Sequence, residues 1–277
     1  MQVDELLERY KAGERMFRAV NLIGVDLRGV DLSEAILVRA NLQDTSFINA
    51  NLTQVNFREA KLMGVDLSDA NLMEANLIGA NLTNAKFDRC DLTGSNLRGS
   101  SSKLVSLTQA NLTDANLTEA NLAEANFVGA NLTNATLIRT NLMKANLTGA
   151  VLEGANLTNV ILRESILEGA NLINATLSGA LLIGANFTDA DMSRVTMIGA
   201  DLSDANLSGV NLRAANVSWT TLRGANLSRA RLYRTKLSWS NLSGANLIEA
   251  VLLDTRLDHA NLRDADIRGA ILPDRRE

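Results

Sequence analysis

The chain has 277 residues and a net charge of −4, and 46% of its residues are hydrophobic although only 4% are aromatic. A single Pro, against a usual share of about 5%, argues against a conventional loop-connected domain. One Cys and one His exclude a disulfide framework, a multi-cysteine metal site and catalysis by paired imidazoles. We therefore expect a protein that is not an enzyme and that needs no cofactor and no metal.

The first residues form a short amphipathic segment. Within residues 2–12, four apolar side chains fall on one helical face: Val3, Leu6, Leu7 and Tyr10. Gly13 follows where the end of a helix favours glycine. Because the open end of a stacked repeat must be covered, residues 1–16 are predicted to be a capping helix and its lead-in. A membrane-surface or partner-binding helix is the alternative. Neither a secretory signal nor a membrane span is expected, so the predicted location is cytoplasmic.

From Leu22 to Leu272 the sequence repeats every five residues, in 51 units without insertion or deletion. Each unit runs from position i−2 to i+2 around a centre i, which is Leu in 41 units. Position i−2 is small, position i−1 is most often Asn or Asp, and 17 of the 18 glycines stand at i+2. A helix needs a period of 3.6 and a strand a period of 2. The period of five instead predicts a short extended piece and a corner in every unit.

The corners determine the predicted fold. Gly at i+2 supplies the positive φ of a type II turn, and Asn or Asp bonds locally to the backbone. Four corners close a coil of 20 residues, and roughly 13 coils stack through backbone hydrogen bonds about 4.8 Å apart. We predict an all-β parallel β-helix, a solenoid over residues 17–272, with Phe17 as an atypical first centre. Residues 273–277 are a predicted tail, in which Pro273 cannot donate to a further ladder.

The repeated Ala-Asn/Asp-Leu pattern, as in residues 110–114, resembles the pentapeptide-repeat proteins. The resemblance covers residues 17–272 and implies a right-handed quadrilateral β-helix. Residues 6–15 and 270–274 are similar to cyanobacterial members of the family, which implies a regulator of a transcriptional or signalling partner in cell differentiation. Another branch implies a DNA-mimic modulator of a type II topoisomerase. This chain departs from that branch in its C-terminal part.

One unit departs from the repeat. Ser102 stands at a centre, where an unpaired buried hydroxyl is unfavourable by about 1–3 kcal/mol. Leu104 is therefore predicted to turn inward in a local bulge over residues 99–104, with the phase restored at Leu107. A functional loop is the alternative. Cys90 stands at an inward i−2 position and is predicted to be a small buried side chain rather than a reactive thiol.

The C-terminal part carries an unusual surface. Between Ala205 and Ile248 there are six basic residues and no acidic one, which leaves −10 on the remainder of the chain. Trp219, Trp239 and His259 are spaced by 20 and should form a column. Exposed Trp, Tyr and Arg are enriched at interface hot spots. We predict a partner-binding surface composed of nine residues: Arg213, Trp219, Arg229, Arg231, Tyr233, Arg234, Lys236, Trp239 and His259.

The sequence therefore predicts a monomeric, non-enzymatic module that binds another protein. A convex surface without a groove makes nucleic acid a less favoured partner. Ser238, Asp258 and His259 match the residue types of a catalytic triad, but a solid core offers no pocket for one. Two alternatives remain open. One is the topoisomerase modulator, supported by Asp114, Glu119 and Glu124 in a stretch without basic residues. The other is a structural spacer.

Overall fold

The computed structural model describes residues 1–273, so residues 274–277 of the predicted tail lie outside the described residues. The chain divides into two compact units, Met1–Thr136 and Leu137–Glu277, and the same repeat builds both. The predicted division at residues 16 and 272, and the stop at Pro273, stay predictions. We describe the construction of each unit separately.

The first unit begins with helix α1, Val3–Lys11, within the segment predicted to be helical. Leu6 and Tyr10 are its buried side chains. The helix ends in a Schellman arrangement, because the Gly13 N–H donates to the Tyr10 carbonyl and the Glu14 N–H donates to the Arg9 carbonyl, both at 3.0 Å. The Tyr10 hydroxyl donates to the carbonyl of Ser33 at 2.9 Å, which attaches the helix to a following coil.

Parallel β-bridges in both units pair each i−1 residue with the residue 20 positions later, as Asn51 pairs with Asn71. These isolated bridges are the only β-pairing among the described residues. The Leu52 N–H donates to the Asn71 carbonyl at 2.7 Å, and the Gln54 N–H donates to the Met73 carbonyl at 2.8 Å. The predicted coil of 20 residues is therefore confirmed within each unit.

Every i+2 residue from Ala19 to Gly269 has a positive φ. Glycine occupies only some of these corners, and the others carry residues as large as Trp219, with φ +62°. A left-handed conformation costs a non-glycine residue about 1 kcal/mol or more. The coil-to-coil hydrogen bond from the corner N–H opposes that cost. The structure therefore corrects the expectation that glycine supplies the corner, because the stacked backbone imposes it on whichever residue is present.

The Asn and Asp side chains at i−1 bond to the local backbone as predicted. The Asn111 Oδ1 atom accepts the Thr113 N–H at 3.2 Å and the Thr113 hydroxyl at 2.7 Å. In the second unit the amide of Asn226 also donates to Asn206 Oδ1 at 3.1 Å. These side chains therefore connect neighbouring turns on the outside of the coils.

The centres and i−2 residues fill the interior of both units. Most Leu centres and Ala residues at i−2 are fully buried, and so are the five Phe centres. Cys90 is buried at i−2, as predicted, with 1% of its surface exposed. Burial raises the pKa of its thiol well above the ordinary value, and the nearby carboxylates of Asp91 and Asp69 raise it further.

The predicted bulge at residues 99–104 is wrong. Ser102 is buried at its centre with 1% exposure, and Leu104 points outward with 47% exposure. The hydroxyl of Ser102 pairs with that of Ser100 at 2.8 Å, so it is not left unpaired in the core. The Leu104 N–H keeps its coil-to-coil bond to the Ala123 carbonyl at 3.1 Å. Because the backbone ladder is unbroken, there is no loop at this position either.

Candidate functional site

The rings of Trp219, Trp239 and His259 form a stacked column on the surface of the second unit. The indoles are parallel within 1°, with centroids 5.0 Å apart, and the imidazole stacks on Trp239 at 4.1 Å and 24°. Trp219 is 60% exposed and Trp239 is 49% exposed. Between Ala19 and Gly269 no other corner residue carries an aromatic ring. We call these three residues the aromatic column.

One end of the aromatic column is open. Trp239 covers one face of the Trp219 indole, and the other face is directed towards the coil of Gly199, twenty residues earlier. Gly199 has no side chain, and no atom lies within 4 Å of the position that a Cβ would occupy there. Coils are about 4.8 Å apart, so a planar group could lie over Gly199 and stack on Trp219.

A second cluster lies on the adjoining face of the coils. The guanidinium carbon of Arg213 is 5.4 Å from the ring centroid of Tyr233, and that of Arg234 is 4.8 Å from the same centroid. Tyr233 is half-buried, whereas both arginines are exposed. Cation–π contacts of this kind hold the two guanidinium groups close to one ring. The structure thus brings together three residues that the sequence predicts as binding residues.

The remaining predicted residues lie on the same two faces or on the corner leading to them. The guanidinium of Arg229 donates to the Ser208 hydroxyl at 3.4 Å. Arg231 and Lys236 are exposed. Among the six basic residues of the acid-free stretch, Arg234 is the one with a carboxylate partner within the described residues, at 3.5 Å from Asp254 Oδ2. The surface is therefore basic and only weakly neutralised.

The structure adds residues that the sequence analysis missed. A pocket of about 450 Å³ lies beside Tyr233, and three of its lining residues are arginines. We call it the arginine pocket: Ser193, Arg194, Asn211, Arg213, Ala214 and Arg234. Arg194, Ala214 and Arg234 follow one another at intervals of 20, so the short Ala214 separates two long side chains in one column. This spacing is visible in the sequence and could have indicated the pocket.

The three residues that match a catalytic triad are not arranged as one. The Ser238 hydroxyl donates directly to Asp258 Oδ2 at 3.3 Å. The imidazole of His259, which would have to bridge the two in a triad, stacks on Trp239 instead. Within residues 1–273 no group of three or more His, Cys, Asp or Glu residues is placed to hold a metal ion.

The acidic stretch that supports the topoisomerase alternative is partly neutralised by the preceding coil. The Lys103 ammonium lies 3.1 Å from Glu124 Oε1, and the Arg98 guanidinium lies 3.8 Å from Glu119 Oε2. These contacts reduce the bare negative surface of the first unit. In residues 1–273, no helix has both the length and the apolar character needed to cross a membrane.

Family models match most of the chain. The model described as pentapeptide repeat region matches residues 16–97. The model described as pentapeptide repeats (8 copies) matches overlapping segments between residues 103 and 272. No curated protein matches the chain at a significant level.

Several solved structures are similar to this chain. HetL, a pentapeptide repeat protein involved in heterocyst differentiation regulation in the cyanobacterium Nostoc sp. PCC 7120, is 29% identical over 99% of this chain and 98% of its own, with a TM-score of 0.44. QnrB1, a plasmid-mediated fluoroquinolone resistance protein, is 19% identical over 93% and 91%, with a TM-score of 0.30. A pentapeptide repeat protein of the Arabidopsis thaliana thylakoid lumen is 33% identical over 36% and 63%, with a TM-score of 0.17.

Proposed function

The chain belongs to the pentapeptide-repeat family, and on that premise we propose that it is a non-enzymatic module that binds another protein through the basic and aromatic surface of its second unit. The single observation that carries the proposal is the exposed stack of Trp219 on Trp239. Large aromatic side chains in this position present rigid area to a partner at little entropic cost. The same rings would be a liability on a surface that binds nothing.

The open face of Trp219 specifies what the partner presents. A planar side chain, either an aromatic ring or a guanidinium, would occupy the space above Gly199 and extend the column. Arg213 and Arg234 on the adjoining face would contact acidic groups of the same partner. Binding to a regulatory protein in cyanobacterial cell differentiation, as the sequence resemblance implies, is the finer form of this proposal.

The experiment compares the wild-type chain with two variants that change the column in opposite ways. Trp219→Ala removes the exposed ring, and Gly199→Trp fills the space that the partner would use. A partner recovered with the wild-type chain is purified, and its dissociation constant is measured by calorimetry. Loss of a hot-spot residue should weaken binding by more than about tenfold, and Gly199→Trp should weaken it similarly.

The matched control is Lys144→Ala, a corner residue of the same unit whose ion pair with Glu164 is exposed. It should leave the dissociation constant unchanged. Equal affinity for the wild type and for Trp219→Ala would contradict the proposal. Inhibition of DNA gyrase supercoiling by the purified chain, retained in Trp219→Ala, would favour the topoisomerase alternative. Surface variants that are all silent would favour the structural spacer.

A further inference from the structure

We propose that the arginine pocket binds the phosphoryl group of a phosphorylated side chain on the partner protein. This inference rests on the proposed function for the identity of the partner, but the pocket is a separate site from the aromatic column. Its volume of about 450 Å³ falls in the range of about 300–1,000 Å³ that is typical of small-ligand sites. The pocket exists because Ala214 leaves a gap between Arg194 and Arg234.

The guanidinium groups of the pocket keep most of their charge and donors. Arg194 donates from Nε to the neutral Asn174 Oδ1 at 2.8 Å, which leaves its charge uncompensated. Arg213 has no ion pair with a carboxylate in the described part of the chain, and its contact is the face of Tyr233. Arg234 meets Asp254 through one long contact of 3.5 Å. Three arginines therefore line one space with little neutralisation between them.

The nearest other carboxylate is occupied by the coil itself. Asp191 does not line the pocket. It is partly desolvated, which raises its pKa, but hydrogen bonds from the Ser193 backbone N–H at 2.9 Å and from the Asn211 amide at 3.1 Å lower the pKa to below its ordinary value. The charge of Arg231 acts in the same direction. Four arginines thus face two carboxylates, which leaves two positive charges in excess around the pocket.

An excess of two charges matches a phosphate monoester better than a carboxylate. A phosphorylated side chain carries about −1.5 to −2 at pH 7 and offers three strong acceptor oxygens. The planar fork of Arg binds such oxygens in pairs, and charge-assisted hydrogen bonds are about twice as strong as neutral ones. Tyr233 supports Arg213 and Arg234 from one side and limits their movement. The pocket is thus positioned to recognise a phosphoserine or phosphothreonine.

The test uses a short peptide of alanine and glycine around one phosphoserine, its unphosphorylated form, and inorganic phosphate. Calorimetry on the full chain should detect the phosphopeptide, while the unphosphorylated peptide should not bind. Arg213→Gln should weaken binding of the phosphopeptide by about tenfold or more, the loss expected for a charge-assisted hydrogen bond. Ala214→Glu should abolish it, because a carboxylate then fills the gap between Arg194 and Arg234 while every arginine remains.

The matched control is Arg223→Gln, which removes an exposed arginine from the same position of the repeat two units later, on the opposite face of the coil. It should bind the phosphopeptide as the wild type does. Three results would overturn the inference: no phosphopeptide binding, inorganic phosphate binding as tightly as the phosphopeptide, or an oligonucleotide binding more tightly than either.

The two proposals fail separately. A captured partner that needs Trp219 but binds equally well after phosphatase treatment would overturn the pocket and leave the protein-binding function intact. Phosphopeptide binding that depends on Arg213, together with no effect of Trp219→Ala on any partner, would support the pocket and overturn the aromatic surface.

Discussion

Trp219 and Trp239 lie one coil apart with parallel indole rings and 5.0 Å between their centroids. Both residues adopt the left-handed conformation, with φ of +62° and +63°. Because the backbone repeats every 20 residues, identical side chains at one corner project in the same direction at the spacing of stacked rings. The β-helix thus converts a sequence interval into an aromatic stack without any contact specific to these two residues.

The stack predicts a spectroscopic signal. The chain has only two tryptophans, so excitonic coupling between them should produce a couplet in the far-ultraviolet circular dichroism spectrum. Trp219→Phe and Trp239→Phe should each abolish the couplet. Trp239→Ala should also lower the free energy of unfolding by about 0.5–1.5 kcal/mol, since Trp239 stacks on both sides. A couplet that survives either single substitution would contradict the stacked geometry.

The serine pair at Ser100 and Ser102 predicts opposite effects for single and double substitutions. Ser100→Ala leaves the Ser102 hydroxyl buried without its partner and should destabilise the chain by about 1–3 kcal/mol. Ser100→Ala combined with Ser102→Leu restores the usual repeat. It should raise the free energy of unfolding above that of the wild type by about 1–3 kcal/mol through apolar burial. Urea denaturation measures both, and a double variant less stable than the wild type would show that the coil has no room for Leu.

The thiol of Cys90 should resist modification in the folded chain. It is buried, and burial raises its pKa, so little thiolate is present or accessible at neutral pH. A thiol-specific reagent should therefore react only at the rate at which this region opens, and at once in denaturant. The reaction is followed by absorbance with and without urea. Immediate stoichiometric reaction of the native chain would show that Cys90 is accessible.

The pair of Asp26 and Arg28 predicts a pH dependence. Hydrogen bonds from the Arg28 side chain and backbone lower the pKa of Asp26 to about 2. Because the folded pKa lies below the unfolded value, the stabilisation is present above about pH 4 and is lost as the pH falls towards the folded pKa. Arg28→Gln should raise the pKa of Asp26 towards its ordinary value, measured by carboxyl NMR. The control Arg18→Gln should leave it unchanged, and an unaltered Asp26 pKa in Arg28→Gln would contradict the pairing.

The sequence predicted the helix at the N-terminus, the coil of 20 residues and the buried centres. These follow from periodicity, because a strict interval of five can bury its Leu and Ala residues in one way only once four corners close a coil. It also predicted that Trp219, Trp239 and His259 form a column, since residues 20 apart must be neighbours. It did not predict the path at Ser102, because a hydroxyl pair in the core satisfies Ser102 and removes the reason for a bulge.

The period, the inward side chains and the identity of the surface columns were determined by the sequence alone, since each is a matter of counting along the chain. Only the tertiary structure decided that the corners impose positive φ on Trp and Arg as well as on Gly, because the coil-to-coil hydrogen bonds outweigh local preference. It also decided that Arg194, Arg213 and Arg234 surround one space. That arrangement depends on side-chain directions across three coils, with the short Ala214 between them, and no property of a single repeat unit contains it.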